Sequence, residues 1–348
     1  MGLLDFLRAF TGNWILAITV ILVLLVVMIN GWTDAPNAIA TCISTKAISP
    51  KKAIIMAAIF NFLGVLFMTL INATVAQTLY KMVDFSGNSA DALAALCAAL
   101  VGILIWAITA WYFGIPTSES HALIAGISGA AIALQGGFAG INGDAWINVI
   151  YGLLLSTFLG FFAGFLLAKM IVLICKDMNW RKTNRFFLKG QVVGGASMAF
   201  MHGAQDGQKF IGVFLLGVAL VEGDLSTHVF SIPIWLMILV SLVMGLGTSV
   251  GGYRIIKTVG MDMVKLKPYQ GFASDVAATI GLLLSSWFGI PVSTTHMKST
   301  SIMGVGAANR VSSIRWKIVR DMVLTWVLTF PGCGLIGFLM AKLFILIF

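Results

Sequence analysis

The chain has 348 residues, 59% of them apolar and 10% charged, with a mean hydropathy of +0.99. Soluble domains carry about 25% charge, so this composition excludes a soluble globular fold and makes the bilayer the solvent. The net charge of +9 does not point to a nucleic-acid partner, because cytoplasmic loops of membrane proteins collect Lys and Arg.

In chain order, Arg8 precedes an apolar run from Ile15 to Ile29 that could pass for a leader. No small-x-small cleavage site follows, and the run continues into GWTDAPN, so it is expected to stay as a first span. A helix needs about 20 apolar residues to cross a bilayer. Segments are expected near 13–45, 53–76, 93–113, 117–135 and 147–174, then near 191–220, 232–253, 270–288, 292–308 and 321–347. A basic cytoplasmic linker at 176–189 divides them, giving a first repeat at 1–175 and a second at 190–348. The 37 glycines suit helices that pack closely or break within a membrane. Cys42, Cys97, Cys175 and Cys333 show no paired spacing and are expected only to pack.

The halves also match in sequence. GIPTSESHALIAGISGAAIA from Gly114 aligns with GIPVSTTHMKSTSIMGVGAA from Gly289, 175 positions on. TDAPNAIAT from Thr33 aligns with QDGQKFIGV from Gln205, 172 positions on. Two blocks in one order at nearly one spacing argue for duplication. Loop charge then argues for inversion. Loops around 46–52, 176–189, 254–267 and 310–320 are basic, whereas those near 77–92, 136–146 and 221–231 hold Lys81 against Asp84, Asp91, Asp144, Glu222 and Asp224. With the basic loops in the cytoplasm, equivalent loops of the halves face opposite sides and both termini lie outside. Inverted repeats of this kind are a frequent plan for secondary transporters. The turn from Gly114 to His121 carries only Glu119, so the hairpins of both halves are expected to be re-entrant, with tips that stop inside the membrane. The expected fold is all-α, with two inverted repeats of about five segments each.

Asp34, Glu119, Asp206, Lys209, Asp275 and Lys298 fall within apolar segments. Each costs roughly 2.5–3.5 kcal/mol at the bilayer centre on insertion scales, so each needs a partner or a wet cavity. Asp206 and Lys209 are three residues apart and can simply neutralise each other. Gly31 and Pro36 should interrupt the helix around Asp34, and residue 35, before a proline, should leave α geometry. Freed carbonyls beside Thr33, Asp34 and Asn37 would suit an oxygen-ligated Na+; Gln205 and Asp206, between Gly203 and Gly207, offer a second copy.

The hairpin blocks suit an anion. Pro291 presets a helical start, and Ser293, Thr294 and Thr295 place hydroxyls beside free backbone N–H groups; Thr117, Ser118 and Ser120 do so in the partner block. Ordinary N-capping would use the same residue types. His121, His296 and His202 match no standard zinc spacing, and orienting the tips is the expected role of the matched pair, His121 and His296. Asp275 is expected to face the same cavity. The chain is not expected to be an enzyme: Ser120 beside His121 is the faint candidate for a nucleophile and base, and adjacent helix residues point apart.

TDAPNAIATCISTKAIS, GIPTSESHALIAG, HGAQDGQKFIG and GIPVSTTH, in this order along nearly the whole chain, resemble the bacterial inorganic phosphate transporter family. The resemblance implies a homodimeric symporter of phosphate with Na+ or H+ in the cytoplasmic (inner) membrane, with no other cofactor; some members carry metal-phosphate and some sulfate. It implies that Asp34, Asn37 and Asp206, with Thr33 and Gln205 beside them, hold the coupling ions. Ser118, Ser120, Ser293, Thr294 and Thr295 would hold the anion. Thr33 and Gln205 stand where many members have Asn; Glu119 replaces a small hydroxyl residue, and Lys298 is an unusual charge near a tip. An acid beside an anion site repels phosphate unless protonated or bridged by a cation, which gives Glu119 a place in coupling. A sulfate carrier, an anion channel and a membrane hydrolase are the competing readings.

Overall fold

A computed structural model describes residues 2–83, 85, 88–222 and 232–347. Asp84 and Asp224, counted above among the loop acids, lie outside the described residues, as does most of the 221–231 loop. The described chain is helical apart from turns and two isolated bridges, Val83 with Ile141 and Val264 with Ile314.

A short helix α1 (Leu3–Gly12) leads into α2 (Trp14–Thr33), which Asn13 caps by accepting from the Ile15 and Leu16 amides. After a break come α3 (Pro36–Ser44), α4 (Pro50–Ile71) and α5 (Thr74–Tyr80). Next are α6 (Ser89–Phe113), α7 (Glu119–Gln135) and α8 (Gly143–Cys175). The second half holds α9 (Trp180–His202), a π-type turn at Gly203–Gly207, α10 (Gln208–Glu222) and α11 (Ile234–Val250). It ends with α12 (Tyr253–Ile256), α13 (Pro268–Trp287), α14 (Thr294–Asn309) and α15 (Trp316–Ile347). Asparagines 88, 142 and 179 cap α6, α8 and α9, and prolines open α3, α4 and α13, where a missing N–H costs nothing.

Six helical stretches among the described residues are long and apolar enough to cross a membrane, and α11 with its continuation to Asp262, bent by 65°, could form a seventh. The protein is therefore a multi-pass membrane protein. The expected linker at 176–189 is helical from Trp180 onward, because the Asn179 side chain caps α9 there.

Each half packs against the other. The helix α7 lies along α15 and α14 along α8, while α4 pairs with α9 and α2 with α11. The first two pairings need bare backbone: a Cβ on Gly129 would collide with the Gly334 carbonyl, and one on Gly304 with the Phe161 carbonyl. The turns before α7 and α14 begin at Gly114 (φ 67°) and Gly289 (φ 68°), left-handed conformations that glycine adopts without a Cβ penalty. Thr258 donates to the Gly114 carbonyl at 2.9 Å, and Thr78 to the Gly289 carbonyl at 3.0 Å, so each turn is anchored by the opposite half.

Candidate functional site

Ala35 was expected to leave α geometry and does not: its φ and ψ are −53° and −31°. Its N–H reaches back to the Asn30 carbonyl at 3.2 Å, as the Asp34 N–H does at 2.9 Å, so one wide turn absorbs the missing proline donor without unwinding the chain. The Asn37 N–H bonds the Asp34 carbonyl at 3.0 Å. The carbonyls of residues 31–33 thereby lose their regular donors, whereas the Asp34 carbonyl keeps one. Around Asp206 the interruption is the π-type turn that runs from Gly203 to Gly207. Such turns concentrate at functional positions because they re-aim side chains while keeping backbone bonds.

The two breaks and the two hairpin tips meet at one buried locus. Thr294, at the start of α14, donates to Asp206 Oδ2 at 3.2 Å and reaches Asp34 Oδ2 at 3.4 Å, bridging the aspartates. Thr295 donates to Asp34 Oδ1, which also accepts from Asn37 Nδ2 at 2.7 Å. Asn37 further reaches Thr295 Oγ1 at 3.1 Å. At the second break, Ser120 Oγ from the opposite half lies 3.2 Å from Asp206 Oδ1, and Lys209 Nζ lies 2.7 Å from that oxygen and 2.6 Å from Ser120 Oγ. Lys209 also donates to the Val292 carbonyl at 2.6 Å, just before the opposite tip. Thr33 donates to Glu119 Oε1, while Glu119 Oε2 has no partner among the described residues. All of these side chains are buried.

The remaining expected residues separate into those at the locus and those that support it. Ser118 and Ser293 act as N-caps, accepting from the His121 and His296 amides at 3.3 and 3.2 Å. Thr117 turns away, to Thr329 and Trp106. Gln205 bonds Ser286 at 2.9 Å and not the aspartates. His121 and His296 meet edge to face at 4.6 Å, where the two tips touch, and Trp326 covers His296 at 3.8 Å. Among the described residues, neither ring nitrogen of either histidine has a hydrogen-bond partner. Asp275 and Lys298 pair with each other and Thr41, apart from the locus.

Three residues escaped the sequence reading. Asn30 donates to Asp206 Oδ2 at 3.3 Å, and Asn61 holds His202 Nδ1 at 2.8 Å, leaving His202 Nε2 3.4 Å from Asp206 Oδ2. Thr41 is the third. A lone amide or hydroxyl inside an apolar span is the available signal, and Asn30 sits one turn before Asp34 on the same helix face.

Donor atoms of Asp34, His202 and Asp206 lie within 4.8 Å of one another. The two carboxylates and the bridging Thr294 hydroxyl are hard oxygen donors that suit Na+, with the His202 imidazole beside them. The locus holds three carboxylates (Asp34, Glu119, Asp206) and one ammonium (Lys209). With every acid ionised the balance is negative, so an anion enters favourably only after cations or protons have been added. Two unit charges 4 Å apart interact by about 4 kcal/mol at the effective dielectric of partly buried sites, which makes that order of events decisive. The N-termini of α7 and α14 add the positive ends of two helix dipoles.

The model of the "Phosphate transporter family" matches residues 30–337. A protein of Bacillus subtilis (strain 168), "Probable low-affinity inorganic phosphate transporter", is 41% identical over 309 residues, covering 89% of this chain and 91% of its own. A protein of the same description from Rhizobium meliloti (strain 1021) is 38% identical over 313 residues, covering 89% and 90%. The solved structure described as "The sodium-dependent phosphate transporter" superposes with a TM-score of 0.84 at 21% identity, covering 97% of this chain and 100% of its own. That last likeness concerns the fold.

Proposed function

The chain belongs to the phosphate transporter family, and from that premise we propose that it is a symporter carrying inorganic phosphate with Na+ or H+ across a bacterial cytoplasmic membrane. The observation that carries this reading is the Thr294 hydroxyl bridging Asp34 and Asp206 at a locus of three carboxylates and one ammonium. Cation or proton binding there removes the repulsion that phosphate would meet, and by linkage phosphate then holds the cation more tightly. That reciprocity is the thermodynamic content of symport.

In this reading Asp34, Asn37, Thr33 and Asp206 serve the coupling ion, with Gln205 supporting the break. Ser120, Thr294 and Thr295 face the anion, and Ser118 and Ser293 fix the two helix starts. Thr117 braces the first tip against α6 and α15. Glu119, with one oxygen unpartnered, takes up a proton or lies against a bound cation. His121 and His296 orient the tips. The fold is two inverted repeats with re-entrant hairpins. The reciprocal pairings across the halves support this, as do the 17 and 16 residues of α7 and α14, short of the roughly 20 a crossing needs. The homodimer and the outward termini implied by the resemblance and the loop charge complete the reading. A hydrolase is disfavoured: Ser120 is engaged with Asp206 and Lys209, and His121 offers it no base.

Purified protein in proteoliposomes should accumulate radiolabelled phosphate under an inward sodium or proton gradient and keep doing so in excess unlabelled sulfate. Accumulation abolished by sulfate would make sulfate the substrate, and equilibration without accumulation under either gradient would make the protein a channel.

A further inference from the structure

Buried charge also occurs away from the proposed transport site. Asp275 on α13 and Lys298 on α14 form an ion pair with no exposed surface. Thr41 on α3 donates to Asp275 Oδ1 at 2.7 Å, and its hydroxyl lies 3.2 Å from Lys298 Nζ. Among the described residues Asp275 Oδ2 has no partner. The ammonium therefore sits against a carboxylate and a hydroxyl, the donor types that hold a hard monovalent cation.

Packing alone does not require this. The matched blocks put Leu123 and Val213 opposite Lys298 and Thr41, and extending the 175-residue offset puts Leu100 opposite Asp275. All three are fully buried in one apolar core cluster. Buried ion pairs can often be replaced by apolar residues of like volume without loss of stability, so the ionic version calls for another account. Its position suggests one. Thr41 is one turn beyond Asn37 on α3, and Lys298 is one turn beyond Thr295 on α14, so the triad continues the seam formed by the Asn37–Thr295 contact.

We propose that Thr41 and Asp275 form a cation site whose occupant is the protein's own Lys298 ammonium, and that removing this ammonium opens the site to Na+. The positive charge that holds α3 against α13 and α14 is then tethered and independent of the ions outside. Trimming Lys298 to alanine leaves a cavity lined by the Asp275 carboxylate and the Thr41 hydroxyl, roomy enough for a small ion with water.

The test is equilibrium binding of radiolabelled sodium to the full chain in detergent, without phosphate, so that its outcome is separate from that of the transport reading. Lys298→Ala should bind one more Na+ per chain than the wild type, saturably, and Lys298→Ala with Asp275→Asn should return to the wild-type number. An unchanged number in a Lys298→Ala protein that elutes as the wild type does would overturn the proposal. If that variant is too unstable to count, its thermal midpoint should rise with NaCl but not with N-methylglucamine chloride, beyond any rise in the wild type. A midpoint that responds equally to the two salts overturns it as well.

Discussion

The two aspartate motifs occupy matching places but are neutralised differently. Asp34 is followed three residues on by Asn37, which donates to it without adding charge, and Thr295 arrives from the opposite half. Asp206 is followed three residues on by Lys209, whose ammonium is 2.7 Å away, and Ser120 arrives from the opposite half. One carboxylate carries its countercharge on the chain; the other is held by an amide and hydroxyls that stabilise it without cancelling it. In the proposed reading the stronger demand for a mobile cation falls at Asp34, while Asp206, bonded to both Thr294 and Ser120, joins the two tips.

The largest expected effect comes from breaking the anchored side. Lys209→Met leaves Asp206 buried and uncompensated, a loss of about 3–5 kcal/mol in comparable pairs, so the thermal midpoint should fall steeply and uptake should vanish. Adding Asp206→Asn should restore most of the midpoint but not the uptake; a Lys209→Met protein melting with the wild type would dissolve the contrast. Next in size is Asn37→Lys, which puts a tethered ammonium beside Asp34. Cation–substrate couplings ordinarily amount to about 5–150-fold in affinity, and here the dependence of phosphate binding on added cation should collapse towards one. An undiminished dependence in titration calorimetry would show that Asp34 is not the mobile-cation side.

A packing change sharpens the comparison at the scale of the halves. Gly129→Ala pushes a methyl into the Gly334 carbonyl on α15, and Gly304→Ala does the same at the Phe161 carbonyl on α8. Each should cost about 1–3 kcal/mol as overpacking, and similar midpoint losses are expected if the pairings are equivalent. The smallest effect is assigned to Glu119→Gln, whose amide oxygen can keep the Thr33 bond. Uptake should persist with an altered dependence on pH and cation, and profiles superimposable on the wild type would remove Glu119 from coupling.

Much of this was legible before any coordinates, for physical reasons. Pro36 has no donor to give, a charged residue in an apolar span must find company, and Gly-Ile-Pro before hydroxyl residues can only start a helix. Partnership across the fold was not legible. The spacing of Asp206 and Lys209 shows that they can pair, but nothing in it reveals that Lys209 also holds Ser120 and the Val292 carbonyl. Thr117 looks like its neighbours in sequence, yet it bonds Trp106 and Thr329, because it precedes the Ser118 N-cap and lies outside the helix that aims Ser120. Ala35 was misjudged because the local rule for residues before proline ignores the option of a wide turn. Lys298 and Asp275 were recognised as charges without being recognised as partners, since they lie on different helices.

The most direct test of the central claim is phosphate binding to purified protein, titrated calorimetrically across sodium concentration and pH, in the wild type and in Asp34→Asn. The account predicts that wild-type affinity climbs as sodium or protons are added, and that this climb disappears in Asp34→Asn. Phosphate binding of the same strength with and without cation in both proteins would contradict it.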